Sequence, residues 1–126
     1  MKIRKATAKD WPTVLSLIRQ HPQHLMQTHL PRTSEFFVAV EDGEILGCCA
    51  LEIYSKRLAE VRSLAVTEQY RRSGIATLLV EKCTAHAKKK GIYELLAISG
   101  ALPFFEKHGF STFHEEKYAL FRVLGQ

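Results

Sequence analysis

The sequence predicts an α/β (α+β) domain built on a central mixed sheet with helices on its faces. Two strand-like runs, EFFVAV (35–40) and EILGCCALEIY (44–54), flank an Asp42-Gly43 pair. Such a pair between strand patterns signals a tight hairpin, because the primed turn needs positive φ. Residues 74–90 then change to helical spacing, and short apolar runs return after them. Strands and helices thus share one chain of 126 residues, the usual size of a single domain spanning 1–126.

The elements follow in order. MKIRKAT sets Ile3 between charged neighbours and reads as a first, edge strand. AKDWPTVLSLIRQ reads as a helix: Asp10 suits a cap, Pro12 suits a first turn, and Val14, Leu15, Leu17 and Ile18 form its apolar stripe. HPQHLMQTHLPRT holds three of the six histidines and two prolines, with weak periodicity, and reads as a loop or a short helix. After the hairpin, LAEVRSLAV (58–66) is a further strand and TEQYRRS (67–73) a loop. In the helix of 74–90, Ile75, Leu78, Leu79, Cys83 and Ala87 line one face. Lys88, Lys89 and Lys90 complement its negative end, and Gly91 stops it. IYELLAI is a short strand of the buried kind, ALPFFEKHGF a short helix, and STFHEEKYALFRVL holds one or two last strands.

The totals exclude several classes. No apolar run approaches the ~18 residues of a membrane span. MKIRKATAKDW has charge but no apolar core, so a secretory leader is not expected. Cys48, Cys49 and Cys83 are odd in number and lack metal-ligand spacing, so no metal is expected. They read as small core residues of a protein kept in the reducing cytoplasm, with Cys48 and Cys49 on opposite faces of a strand. The net charge of +5 favours an anionic partner, without separating nucleic acid from a phosphorylated small molecule. KKK with Arg71 and Arg72 lacks any aromatic platform or groove-reading motif, so nucleic acid is not the expected partner.

YRRSGIATLL (70–79) carries the chemistry. A helix start has unpaired N–H groups and partial positive charge. Gly74 has no side chain to keep a ligand off the backbone, and Arg71 and Arg72 add permanent charge. The stretch from Arg71 to Ala76 therefore suits a pyrophosphate. Read alone, it is equally a solvated basic turn capping an ordinary helix. It is neither a P-loop nor a GxGxxG loop.

In its setting, AEVRSLAVTEQYRRSGIATLLVEKC resembles the signature of the GNAT superfamily of acetyl-CoA-dependent N-acetyltransferases. A strand ends in a Leu64-Ala65-Val66 triplet. A short loop follows, and then the (Q/R)-x-x-G-x-(G/A) pattern of residues 71–76 opens a helix. ALPFFEKHGF looks like the short helix and turn of the same family, and the element order matches across essentially the whole chain. The resemblance implies a mostly antiparallel sheet that splays beside the central strand. It implies acetyl-CoA with its pyrophosphate on the N–H groups of Arg71, Arg72, Ser73, Gly74, Ile75 and Ala76, and Thr77 near the phosphate. The pantetheine arm would lie strand-like along Leu64, Ala65 and Val66, with Phe104 and Phe105 near the thiol end or simply in the core. Dimers are common in that family, although no residue here demands one.

Amide formation from a thioester needs a deprotonated amine, a stabilised oxyanion and a tolerated thiolate. Backbone N–H groups near Leu64 suit the oxyanion. Glu60 stands where some members of the family carry a glutamate base; its alternative is a strand carboxylate paired with Arg62, and Glu52 is a second candidate. Many members carry a tyrosine where this chain has Phe105, so the general acid is vacant. Ser99 can donate a hydrogen bond, or else serve the backbone of a turn. A thiolate is a fair leaving group, at a pKa of about 8.5 by the side-chain reference. ILGCCALEIY and ISGALPFFEKHGF further resemble the acetyltransferase domain of N-acetylglutamate synthases, which implies an amino-acid acceptor such as glutamate. Their amino-acid-kinase-like domain has no counterpart in this sequence, so no arginine-feedback site is expected. Arg32, Arg62 and Lys56 are candidate partners for acceptor carboxylates, and residues 20–34 cover the acceptor side. A protein N-terminus or lysine, a polyamine, another small amine, or a non-catalytic acetyl-CoA-binding regulator are the alternatives.

Overall fold

The structure, a computed structural model, describes residues 1–112 and 117–125. Strand β1 (Lys2–Lys5) leads through a 3-10 turn (Ala8–Asp10) into helix α1 (Trp11–Arg19). Strands β2 (Phe36–Glu41), β3 (Glu44–Ile53) and β4 (Leu58–Val66) follow, then α2 (Ile75–Lys89), β5 (Glu94–Ala97) and α3 (Leu102–Lys107). The strands lie in the order β1-β2-β3-β4-β5, antiparallel except for the parallel pair β4–β5. The β2–β3 turn puts Asp42 at φ 51° and Gly43 at φ 77°, the primed turn that the Asp-Gly pair demands.

Each face of the sheet carries its own core. On one face α1 packs Val14, Leu17 and Ile18 against Phe36, Val38, Cys48 and Ala50. On the other, α2 packs Ile75, Leu79, Val80 and Cys83 against Phe37, Cys49, Leu51 and Val61, with Phe105 of α3. Cys48 and Cys49 do part to opposite faces, and all three thiols are free and buried. Burial pushes the Cys48 thiol up to about 12, and contact with Cys83 holds Cys49 protonated as well. Neither Cys48 nor Cys49 is a nucleophile in this state.

Three expectations need correction, and a fourth, the last strands of residues 111–124, falls partly outside the described residues. Leu78 is 42% exposed and Val80 takes its place in the core, because the apolar stripe turns with the 3.6-residue period. Strand β5 is only half buried: β4 covers one of its edges, and among the described residues no strand pairs with the other. Beyond Gly109, the described residues form no strand, and the stretch 113–116 lies outside them. Asp10 starts α1 but makes no capping hydrogen bond to it. Its carboxylate instead accepts from Arg4 Nη1 at 2.7 Å and Nη2 at 3.1 Å, and from the Thr7 N–H at 2.7 Å. It ties β1 to the turn before the helix.

The Arg4 guanidinium, and next the Thr7 N–H, hold the Asp10 carboxyl well below the usual carboxylate range. A depressed pKa contributes stability above the unfolded value, near pH 4, and loses it as pH falls below that. Asp10→Asn should therefore cost about 1–3 kcal/mol at pH 7, and the gap to wild type should narrow at pH 3. Urea unfolding at both pH values checks this; an equal gap at both would rule it out.

Candidate active site

The site begins where β4 leaves its neighbours. On one side, β4 pairs with β5 only from Leu58 to Val61, so Arg62–Val66 run on without a β5 partner. On the other side, Cys48 pairs Ala65 and Ala50 pairs Arg62, so Ser63 and Leu64 oppose Cys49 alone. This is a β-bulge, with Ser63 at φ 56°. The extra residue shifts the alternation of β4 by one. Ala59 and Val61 before it, and Leu64 and Val66 after it, all serve the core on the α2 side, while Ala65 faces α1.

The parted strands open a cavity of about 660 Å³. Leu64, Ala65 and Val66 form its strand wall, Arg71, Arg72, Gly74, Ala76 and Thr77 its helix-start wall, and Phe104 and Phe105 its α3 wall. Gly74 is the N-cap of α2 at φ 88°, with no side-chain cap, and a Cβ there would meet nothing within 4 Å. Among the described residues, the N–H groups of Gly74, Ile75, Ala76 and Thr77 reach no carbonyl, as the first turn of a helix requires. The cleft thus joins free N–H donors, two guanidinium-bearing residues and an apolar trough. The Ile75 side chain is in the core, so only its backbone serves the cleft. Ser73 donates its hydroxyl to the Tyr70 carbonyl, and Thr77 Oγ1 lies 3.2 Å from His108 Nε2.

A second cavity, about 230 Å³, continues past Leu64 and Phe105, which line both. Glu60, Arg62 and Ser99 line it together. The Tyr54 phenol donates to Glu60 Oε1. Arg62 pairs with Glu52 at 2.5 Å and donates to the His29 carbonyl at 3.0 Å, tying the 20–32 loop to β4. Ser99 Oγ accepts the Ala101 N–H at 2.9 Å, which leaves its own proton to give. Of the other proposed cations, Arg32 is 85% exposed beside Glu35 and Lys56 is exposed in the β3–β4 turn; neither lines this cavity.

His21, His24 and Leu25 also line the larger cavity, and sequence reasoning did not single them out. His21 Nδ1 lies 3.0 Å from the Arg71 guanidinium, so the loop leans across the cleft mouth. Burial, and then Arg71, pull the His21 pKa down, which favours the neutral imidazole. The clustering of three histidines in a segment without periodicity was the available signal. Tyr70 and Lys107 line the cleft too. Among the described residues, no group of three metal-ligating side chains comes together, and no helix is long and apolar enough to cross a membrane.

A wedge in a sheet, walled by an unpaired half-strand and a cap-free helix start, has the shape and donors that a long, anionic, partly apolar arm requires. The chain matches the acetyltransferase (GNAT) domain family over residues 32–112. It is 40% identical over 84 residues to an uncharacterized N-acetyltransferase of Chlorobaculum tepidum, covering 67% of this chain and 54% of that one. It is 31% identical over 116 residues to an amino-acid acetyltransferase of Pasteurella multocida, covering 86% and 26%. The chain thus spans about half the length of the first relative and about a quarter of the second. A Mycobacterium tuberculosis protein solved in complex with CoA and a second ligand superposes with a TM-score of 0.85 at 25% identity, covering 90% of this chain and 73% of that one. N-acetylglutamate synthase of Neisseria gonorrhoeae, solved with coenzyme A and L-arginine, superposes at 0.78 with 31% identity, covering 94% and 29%. The chain belongs to the GNAT acetyltransferase family.

The contact between Tyr54 and Glu60 is open to direct test. Burial, and next the Glu60 carboxylate, raise the Tyr54 pKa above the ordinary phenol range. In an ultraviolet titration of the four tyrosines, one phenol should ionise later than the rest. Tyr54→Phe should remove that late step, and Glu60→Gln should move it to lower pH. Four phenols titrating together would show that the contact does not form in solution.

Proposed function

We propose that this chain is an acetyl-CoA-dependent N-acetyltransferase that acetylates a small primary amine, an amino acid, by direct attack. One observation carries the reading: the cap-free start of α2 faces a cleft that runs along the unpaired half of β4 and ends at a second cavity holding a carboxylate. The fit to the cosubstrate is chemical. Free N–H groups from Gly74 to Thr77, with Arg71 and Arg72, suit a pyrophosphate. Unpaired backbone at Leu64, Ala65 and Val66 suits the amides of a pantetheine arm, as an added strand would. Acetyl-CoA supplies an activated acyl group; the remaining work falls to the protein.

Glu60 is the base. It sits in the smaller cavity with one oxygen held by Tyr54, and it takes the proton that an ammonium must lose before it attacks, directly or through a water. Backbone N–H groups at the bulge of Ser63 and Leu64 serve the oxygen that gathers charge during attack. On α3, Phe104 and Phe105 have no proton to give, so Ser99 donates a hydrogen bond to the leaving sulfur, and a thiolate departs without a stronger acid. The amino-acid acceptor is supported by the relatives that carry that name over most of this chain. Three buried, unpaired cysteines fit a reducing compartment such as the cytoplasm.

Two variants separate cosubstrate binding from chemistry. Gly74→Glu places a carboxylate where the pyrophosphate would lie. It should abolish the calorimetric heat of acetyl-CoA binding while costing only about 1–2 kcal/mol of stability, the scale for an L-residue in the left-handed region. Retained affinity would refute the loop assignment. Glu60→Gln should lower turnover by about 10²–10⁴-fold with acetyl-CoA affinity nearly unchanged; undiminished thiol release would remove Glu60 from the mechanism.

A further inference from the structure

Four side chains form one patch of the sheet beside the smaller cavity. Glu52 is the penultimate residue of β3 with Tyr54 just beyond the strand, and Glu60 and Arg62 lie on β4 before the bulge. Glu52 and Glu60 are direct partners in the register, which sets like charges across a strand pair. Each is answered diagonally. Arg62 Nη1 meets Glu52 Oε1 at 2.5 Å, and the Tyr54 phenol meets Glu60 Oε1. The Arg62 side chain is only 14% exposed, with Nη2 on the His29 carbonyl at 3.0 Å. Among the described residues, Arg62 is the only lysine or arginine that lines this cavity.

The charges can be followed one by one. Arg62 and Glu52 cancel. Glu60 remains, and the ammonium of an arriving acceptor balances it. One carboxylate of that acceptor can take the guanidinium N–H donors that Glu52 and His29 leave over, since arginine has five. A second carboxylate finds no further lysine or arginine and faces Glu60, with Glu52 held behind on Arg62. A second ammonium finds both glutamates already engaged. The rest of the wall is mainly apolar, with Leu25, Met26, Val61 and Ile98 beside His24, Ser63 and Ser99, and rewards removal of an uncharged side chain from water.

We propose, resting on the acyl-transfer reading above, that the acceptor is an amino acid with an uncharged side chain, and that the Glu52–Arg62 pair determines this by leaving donors for one carboxylate only. Thiol release from acetyl-CoA by the full chain tests it, with leucine, methionine and glutamine against glutamate and aspartate, and against lysine and putrescine. The uncharged set should exceed both others in kcat/KM by at least about tenfold, the scale of one like-charge contact near a protein surface. Ile98 lines the cavity and is 59% exposed, so Ile98→Lys adds a cation at the rim without disturbing the core. It should raise glutamate relative to leucine by about tenfold. Glu52→Gln, which removes the carboxylate paired with Arg62 and frees its guanidinium, should move the ratio the same way. Preference of the wild-type chain for glutamate, lysine or putrescine overturns the proposal and leaves acyl transfer standing. Ratios unmoved in both variants overturn it too. No thiol release from any acceptor, with acetyl-CoA still bound in calorimetry, overturns the acyl-transfer reading and this inference together.

Discussion

The parting of β4 from β5 after Val61 is the constraint from which the rest of the structure follows. A strand in the middle of a sheet normally satisfies its backbone on both edges. Here β4 does so for its first four residues and then keeps a partner on one side only. The unpaired half lies against a cleft instead of open water, walled by the start of α2 and by α3. Unmet backbone groups in a partly apolar trough are a standing demand for a ligand that can add as a strand. The parallel connection through α2 produces this geometry, because it returns β5 beside the far half of β4 and leaves the near half free.

The bulge at Ser63 and Leu64 acts with that separation. Without it, strict alternation would carry Ala65 to the α2 face and Leu64 and Val66 to the α1 face. One added residue lets Leu64 and Val66 pack on the α2 side after the bulge, as Val61 does before it. Glu60 and Arg62 keep the phase set before the bulge, off the α2 core and toward the α1 side, where the 20–32 loop reaches over them through His29. Phase therefore separates the two jobs of one strand: the half after the bulge faces the arm-shaped cleft, and the half before it presents charge to the smaller cavity.

Much of this was legible in the sequence, and the rest has identifiable physical reasons. The Asp42-Gly43 turn, the limits of β4 and the glycine-started α2 announced themselves because each rests on local rules: positive φ, period two and period 3.6. Gly74 was identifiable as the start of α2 because glycine before a helical pattern suits the left-handed cap it adopts. Leu78 misled because the stripe of an amphipathic helix is about half its circumference, and a residue at its margin goes to whichever side the sheet leaves open. His21 and Arg71, fifty residues apart, meet only through the loop's fold across the cleft, and no local pattern encodes that. The diagonal pairs Glu52–Arg62 and Tyr54–Glu60 depend on register. A one-residue slip of β3 against β4 would unmake both.

That dependence also explains how a patch carrying two opposed glutamates persists. Two carboxylates directly across a strand pair repel, and on a free sheet face such a pair would favour slippage. Here slippage is barred from the opposite face, where Leu51, Ala59 and Val61 are buried under α2 and admit a single register. The core on one side therefore holds the charges on the other in an arrangement they would not choose. Arg62 and Tyr54 each relieve one carboxylate and leave the ensemble with one uncompensated negative charge, that of Glu60. On the proposed reading, a single ammonium would complete a site held in that condition. The hydrophobic face of β4, by fixing the register, thereby helps to set the charge that the proposed acceptor would meet.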